Sequence, residues 1–352
     1  MKILEEGKTV KLSHGNGGPE TSEILNSILF SKVEETLKRV EGGVGIDVLD
    51  DGATIPIGDL GYVVISTDSY TVKPLFFPGG DIGKLAAAGS INDVVMMGGR
   101  PVAILDSIVV QEGFEINELE KIMESFISTL KEEKVSIIGG DFKVLPREEL
   151  DGIIITTTAI GIAKKPIIDR PKVGDKIIVT GNLAEHGVLV SLYRLGLEDK
   201  AGNAGLLQSD VMPLSKYLLP IFEKYGEKIN AARDPTRGGL SEVLNEWALQ
   251  NKLIIEIDEK SIPLREPVVK YTEMLGIDPL HLASEGVAVL SVEESVSEEI
   301  LDELQKNGLS DAKIIGEVKK EAKEMGIVLM KTAIGGRRVV EPPRGELVPR
   351  IC

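Results

Sequence analysis

Carboxylates and one sulfur are the groups in this chain whose placement could do chemistry. Asp50-Asp51, Asp68 and Asp141 each stand at or just past the end of a predicted strand, and Asp93 follows a predicted helical stretch. Strand ends of one sheet can meet on one edge. Four or five carboxylates meeting there repel one another unless cations neutralise them. Mg²⁺ suits such a cluster, because it is hard, seeks oxygen and bridges carboxylates to substrate phosphates. Any single aspartate beside a glycine reads as a turn former. The set, with Gly52, Gly139 and Gly140 allowing close backbone approach, points to a metal and a nucleotide. The sulfur is that of Cys352, the only cysteine, at the end of the sequence. It follows Glu341-Pro342-Pro343-Arg344-Gly345-Glu346, which the prolines keep extended. A thiol so placed is either incidental to a frayed end or the attachment point of a flexible arm.

Other groups are weaker pointers. Lys143, two residues after Asp141, could neutralise phosphate or an oxyanion, and Glu285 in Ser284-Glu285-Gly286 could accept a proton if burial raised its pKa. Read alone, they are a surface lysine and a turn glutamate. Gly79-Gly80-Asp81-Ile82-Gly83-Lys84 and Arg237-Gly238-Gly239 precede helices, whose free N–H groups suit phosphate. Neither has the spacing of a Walker A loop, and no dinucleotide-binding fingerprint is present. His14, His186 and His281 are far apart in sequence and read as packed or surface residues. Trp247 reads as core.

Composition narrows the class. The chain has 352 residues, 42% hydrophobic and 27% charged, enough for two ordinary domains. A net charge of −16 argues against nucleic acid or an anionic membrane as the main partner. ATP remains compatible if backbone amides, a lysine or Mg²⁺ offset the charge locally. One cysteine excludes an intrachain disulfide and cysteine-rich metal sites, and suits a reducing cytosol. No apolar leader and no membrane-length apolar run is expected.

The elements that must position these groups alternate irregularly, which predicts an α+β fold. Residues 1–40 read as a lead segment, with the Gly-rich cluster Ser13 to Pro19 and helical spacing over Glu20 to Arg39. Residues 41–163 read as the first domain. Its strands are predicted at Val44 to Asp50, Gly61 to Thr67, Val102 to Val110, Val135 to Ile138 and Gly152 to Ile162; its helices at Asp81 to Met97 and Ile116 to Lys131. A proline-bearing linker, Lys164 to Pro171, leads to a second domain over 172–325. There, strands are predicted at Ile177 to Thr180, Leu253 to Ile257 and Val287 to Val292. Helices are predicted at Glu185 to Leu195, Leu214 to Tyr225, Ser241 to Leu249, Pro267 to Leu275 and Glu294 to Gln305. Residues 326–352 read as a β-rich end and tail.

Seven short stretches then occur in one order: Leu49-Asp50-Asp51-Gly52-Ala53, Ser66-Thr67-Asp68-Ser69, Phe77-Pro78-Gly79-Gly80-Asp81, Ile91-Asn92-Asp93, Gly139-Gly140-Asp141, Asp234-Pro235-Thr236-Arg237-Gly238-Gly239 and Ala283-Ser284-Glu285-Gly286. This set resembles the ATP-binding superfamily of aminoimidazole ribonucleotide synthetase and selenophosphate synthetase. With the terminal Pro349-Arg350-Ile351-Cys352, the chain is similar over nearly its whole length to the HypE family of hydrogenase maturation proteins. The resemblance implies a two-domain α+β fold whose N-terminal domains pair as a homodimer, with ATP near that interface. It implies a cytoplasmic lyase, a carbamoyl dehydratase, that turns an S-carbamoyl group on its C-terminal cysteine into a thiocyanate. The carbamoyl group would come from the carbamoyltransferase HypF. The cyanide would pass to HypC–HypD and on to the iron of a [NiFe]-hydrogenase.

Carried over by residue, the resemblance makes Cys352 the carrier. It assigns Asp51, Asp68 and Asp93 to Mg²⁺ and phosphates, with Asp50, Asp141 and Asp234 as further nucleotide-site residues. Lys143 and Glu285 match positions assigned to the dehydration. The N-terminal region lacks the reactive cysteine of selenophosphate synthetases, and purine enzymes have no use for a cysteine arm. The alternatives are another ATP-using superfamily member or a non-enzymatic maturation scaffold.

Overall fold

The computed structural model describes residues 9–15, 17–48, 50–197 and 207–344. The first sheet is built from β1 (Ala53–Pro56), β2 (Tyr62–Tyr70), β5 (Arg100–Gln111), β6 (Ser136–Leu145) and β7 (Ile153–Ala163), in the order β1-β2-β7-β5-β6. A short ribbon, β3 (Phe76–Phe77) with β4 (Gly80–Asp81), lies between β2 and the helix that follows it. All pairs in the sheet are antiparallel except β5 with β6. Parallel neighbours need a crossover, and helix α3 (Ile116–Glu133) supplies it. Alternation sorts the faces: Ile153, Ile155, Thr157 and Ala159 of β7 are buried and their neighbours only half-buried.

The buried face packs on α2 (Ile82–Met96), in which every residue except Lys84 is buried. A helix without a polar stripe must be enclosed on all sides, and α2 is: it lies between the first sheet and the second half of the chain. Small residues make this possible. A Cβ on Gly83 would lie 2.0 Å from the Ile122 carbonyl oxygen, and one on Gly89 would lie 2.5 Å from the Tyr70 hydroxyl. Asp81 caps the helix, accepting from the Gly83 and Lys84 N–H groups at 2.7 and 3.0 Å.

The second sheet has the order β14-β13-β10-β12-β8-β11-β9. Its members are β8 (Lys176–Val179), β9 (Ile229–Arg233), β10 (Leu253–Asp258), β11 (Val289–Val292), β12 (Lys313–Glu321), β13 (Ile327–Lys331) and β14 (Arg337–Val339). All four residues of β11 are buried, as expected of a strand covered on both faces. One face joins Ile178 and Leu290 to α4 (Glu185–Arg194), α5 (Ser215–Tyr225) and α7 (Glu294–Lys306), in a core continuous with that of the first sheet. The other joins Ile177, Val179 and Val289 to Trp247 and its neighbours on α6 (Gly239–Asn251).

The fold is α+β, as expected, but local readings differ in instructive places. Val44 to Val48, the continuously described part of the expected strand Val44 to Asp50, forms turns instead, because Gly43 and Gly45 tuck against other backbone. A Cβ at Gly43 would be 2.1 Å from the Thr54 carbonyl oxygen. The first helix, α1 (Pro19–Ile28), ends eleven residues earlier than the spacing suggested and gives way to 3-10 turns. Asp68 lies inside β2, and Asp141 lies in the middle of β6, not at a strand end. Strand β12, with its many charges, was not anticipated. It is nonetheless paired on both sides, by β8 and β10.

Candidate active site

Asp50 and Asp51 stand just before β1, Asp68 in β2, Asp93 in the last turn of α2, and Asp234 directly after β9. All five line one cleft of about 1140 Å³ between the two sheets. The elements fix them by ordinary bonds. Ser66 donates its hydroxyl to Asp93 Oδ2 at 2.6 Å. The Asp169 N–H donates to Asp50 Oδ2 at 3.0 Å, tying the linker to the cleft floor. The Arg237 guanidinium lies 3.5 Å from Asp68 across the cleft.

Arg233, at the end of β9, is the cation that makes this packing tolerable. It is 7% exposed and contacts Asp169 at 2.8 Å, Asp51 at 3.4 Å, Asp50 at 3.9 Å, and also Glu246. Asp169 further accepts from Trp247 Nε1 at 2.6 Å. A buried charge needs such partners. Neither Arg233 nor Asp169 stood out in the sequence. The one available signal was that Arg233 precedes Asp234 in the same motif.

Arg233 and Arg237 together do not balance the cluster. Burial, then its neighbour Asp68, holds the Asp93 carboxyl well above the usual carboxylate range. Burial does the same to Asp51; Arg233 opposes it, while Asp234, Asp93 and Asp50 add to it. Burial and Asp68 push Asp234 up to about 7, and burial and Glu246 push Glu242 up to about 8. Asp51 Oδ2, Asp234 Oδ2 and Glu242 Oε2 are buried with no hydrogen-bond partner among the described residues. Unsatisfied buried oxygens of this kind are costly by themselves. They fit a hard cation. Among the described residues, no three such side chains converge closely enough to hold a metal unaided. A small cation here would therefore need oxygens from a bound ligand, as is usual for Mg²⁺ with phosphates.

Residues 49–163 match the family described as AIR synthase related protein, N-terminal domain, and residues 172–328 match its C-terminal domain. A Methanocaldococcus jannaschii protein assigned to hydrogenase expression and formation is 42% identical over 348 residues, 96% of this chain and 98% of that one. The carbamoyl dehydratase HypE of Azotobacter vinelandii is 36% identical over 348 residues, 98% of this chain and 97% of that one. The chain belongs to the HypE family. A crystal structure of a HypE–HypF complex matches with a TM-score of 0.81 and 35% identity, covering 93% of this chain and all of that one. A HypE structure in complex with ATP matches with a TM-score of 0.78 and 34% identity, covering 98% of this chain and all of that one.

Within this HypE fold, the remaining candidate residues part company. Asp141 does not join the cleft. It sits on the outer edge of the sheet, where among the described residues β6 pairs with β5 alone. Every residue of β6 except Leu145 is exposed. Asp141 instead pairs with Lys143 at 3.0 Å, and that lysine holds its carboxyl below the usual range. Lys143 is likewise 64% exposed and outside the cleft of its own chain. The strand reading failed because β6 does not stop at Gly139 but carries both residues on along the edge. Gly79 and Gly80 do not meet the cleft either. They serve close packing: a Cβ on Gly79 would be 2.7 Å from the Ser209 carbonyl oxygen.

Glu285 is 1% exposed and does not line the cleft. Its charge nevertheless acts, with those of Asp68 and Asp93, on the buried Tyr70 phenol. Burial above all, and then these carboxylates, hold that phenol well above its usual pKa. The Glu285 carbonyl accepts from Asn92, the neighbour of Asp93 on α2, at 3.4 Å. His186 is fully buried, edge-on to Phe77 with centroids 5.2 Å apart, and burial lowers it to about 3. His281 donates to the Glu341 carbonyl at 3.3 Å, and the Lys11 N–H donates to His14. Trp247 is core, as its type suggested.

Cys352 lies outside the described residues. The segment leading to it is described as far as Arg344. Asn245 donates to the Val340 carbonyl at 3.0 Å. Pro343 lies where Gly18 and Gly238 leave room: a Cβ on Gly18 would be 2.8 Å from the Pro343 carbonyl oxygen, and one on Gly238 would be 3.0 Å from its ring. Both glycines border the residues that form the cleft mouth, Gly17 and Arg237.

Proposed function

We propose that this protein dehydrates an S-carbamoyl group on Cys352 to a thiocyanate at the expense of ATP, supplying cyanide for the iron of a [NiFe]-hydrogenase. The observation that carries this reading is a coincidence of place. The unsatisfied carboxylates line the cleft, and Pro343 packs against Gly18 and Gly238, which adjoin the cleft-lining residues Gly17 and Arg237 in sequence. Eight residues follow Arg344, an extended length of about 27 Å. The sulfur can therefore visit the cleft and also leave it. Carbamoyl dehydratase as the name of a relative similar over its full length supports the same reading.

The chemistry suits these parts. The carbonyl oxygen of a thiocarbamate is a poor leaving group until it is phosphorylated. Transfer of the γ-phosphoryl group from ATP to that oxygen, with release of one of the two N–H protons, gives an imidate phosphate and ADP. Loss of the N–H proton and of phosphate then gives S–C≡N. Such phosphoryl transfer rests on positioning and charge neutralisation. Asp51, Asp68, Asp93 and Asp234 would hold Mg²⁺ together with the nucleotide phosphates, Asp50 completing the cluster; bound there, Mg²⁺ neutralises phosphate charge. Arg237 orients Asp68 at the mouth. Glu285 accepts the N–H proton.

Lys143 requires a second copy of the chain. The β6 edge exposes Ile138, Phe142 and Val144 beside it, and an open apolar edge of this length is a template for association. We place a homodimer contact there, with Lys143 of one copy reaching toward the cleft of the other and Asp141 keeping its ion pair with that lysine. HypF as carbamoyl donor, HypC–HypD as acceptor and a cytoplasmic location complete the proposal. Among the described residues no helix is long and apolar enough to cross a membrane.

The test is intact-mass spectrometry after incubation with carbamoyl phosphate, HypF and ATP. The carbamoyl adduct and then the thiocyanate are expected on Cys352. Cys352→Ala should bind ATP and form neither adduct. An unmodified mass with active HypF would favour a scaffold instead.

A further inference from the structure

Asn92 and Asp93 are neighbours on α2, yet their side chains serve different rooms. Asp93 faces the cleft and is held by Ser66. Asn92, fully buried, faces the loop that carries Glu285. Its Oδ1 accepts the Leu214 N–H at 2.8 Å. Its Nδ2 donates to the Met212 carbonyl at 3.1 Å and to the Glu285 carbonyl at 3.4 Å. One amide thus joins α2, the segment before α5 and the Ala283–Gly286 loop, using both of its ends.

A second buried group grips the same loop. Asp210 Oδ1 accepts the Glu285 N–H at 3.2 Å, and its Oδ2 is buried with no partner among the described residues. A Cβ on Gly286 would lie 1.9 Å from the Asp210 carbonyl oxygen, so the two backbones are locked side by side. Ser284 accepts the Ala184 N–H at 2.8 Å and closes the loop's other flank. Glu285 is therefore fixed at its N–H by Asp210 and at its carbonyl by Asn92. The second of these holds comes from the same helical turn that places Asp93 among the phosphate-binding carboxylates.

We propose that Asn92 is a positioning residue that keeps the proton acceptor Glu285 in register with the phosphorylating cleft, with Asp210 as its counterpart on the other side of the loop. The proposal rests on Glu285 being the base. The dehydration needs two events at one small substrate, phosphorylation of its oxygen and removal of its N–H proton, and these come from opposite halves of the fold. A rigid helix with one side chain in each half keeps the two groups at a constant separation. Losing Asn92 would leave phosphorylation intact and let the proton step lag, so that the activated intermediate is lost to water and ATP is consumed without product.

The test compares thiocyanate formed with ADP formed, using the full chain, HypF, carbamoyl phosphate and ATP. Asn92→Ala is expected to retain nucleotide binding within about threefold, while thiocyanate per ADP falls by about tenfold or more, the scale of a mispositioned base. The acid limb of the pH–rate profile for thiocyanate formation should move. Asp210→Ala should act in the same direction, and Asp210→Asn, which keeps an acceptor for the Glu285 N–H, should lose less. A folded Asn92→Ala protein with an unchanged product-to-ADP ratio and pH profile would overturn the link. If Asn92→Ala does not fold, the two Asp210 variants decide by the same ratio. Glu285→Gln separates the two ideas: normal dehydration by that variant removes the base assignment itself, whereas its failure beside an unaffected Asn92→Ala removes only the link.

Discussion

Asp93 is 8% exposed and receives the Ser66 hydroxyl at 2.6 Å; Asp141 stands on an open edge and pairs with Lys143 at 3.0 Å. In sequence both are aspartates in short polar breaks of apolar stretches. In the fold, the first group is pushed toward its neutral form by burial and by other carboxylates. The second is held ionised by a lysine in water. A carboxylate with no cation of its own is prepared to gain one from a ligand. One already paired at the surface has little to gain, because exposed pairs contribute little and are screened. The contrast separates carboxylates gathered within one chain from a surface pair whose proposed role depends on a second copy.

The sharpest way to break this contrast is to remove the cleft charges. Asp51→Asn or Asp93→Asn should lower ATP-dependent thiocyanate formation by about 10² or more, since positioning and charge neutralisation carry phosphoryl transfer. Single-turnover assays with pre-carbamoylated protein check this, and a loss below about threefold would sever the cleft from the chemistry. A smaller effect is expected from Phe142→Asp, a charge placed on the β6 edge. It should shift the chain from dimer to monomer in analytical ultracentrifugation and lower activity with it. A fully active monomer would return Lys143 to the surface role that its exposure suggests.

A third effect is graded by pH. Asp234, pushed up to about 7, is mostly protonated below that value and then a poor cation ligand. Affinity for Mg²⁺ with nucleotide should rise as pH passes from 6 to 8, readable by titration calorimetry. The linkage for folding runs the other way. The folded chain holds a proton that the unfolded chain releases near 3.8. This group's contribution to stability is thus full below 3.8 and is lost as pH rises through about 7. Bound cation should remove that loss. The smallest effect is expected from Asp141→Asn, within about threefold in turnover, because only a solvated ion pair is lost.

Much of this was legible locally. The run Ala86-Ala87-Ala88-Gly89 announced a helix that packs closely, and α2 is enclosed on every side. The motif after β9 announced a turn into a helix at the site, and Gly238 and Gly239 do adopt positive φ there. What failed did so where pairing partners decide. Val44 to Asp50 has strand-like residues, yet glycines packed on Thr54 and Lys38 turn it aside. Arg233 escaped notice because its importance comes from four acidic neighbours, three of them distant in sequence. Asn92 looked like a companion of Asp93 until its bonds to Met212, Leu214 and Glu285 were seen.

By itself, the sequence determined the residue types a phosphorylating dehydratase needs, their order along the chain, and the family to which the chain belongs. Those facts depend on covalent order and local propensity alone. Only the tertiary structure decided that Asp50, Asp51, Asp68, Asp93 and Asp234 share one cleft while Asp141 does not, and that Glu285 is tied to that cleft through α2. Burial, charge pairing and hydrogen-bond satisfaction are relations between residues far apart in the chain, and they exist only once the two sheets and the helix between them are packed.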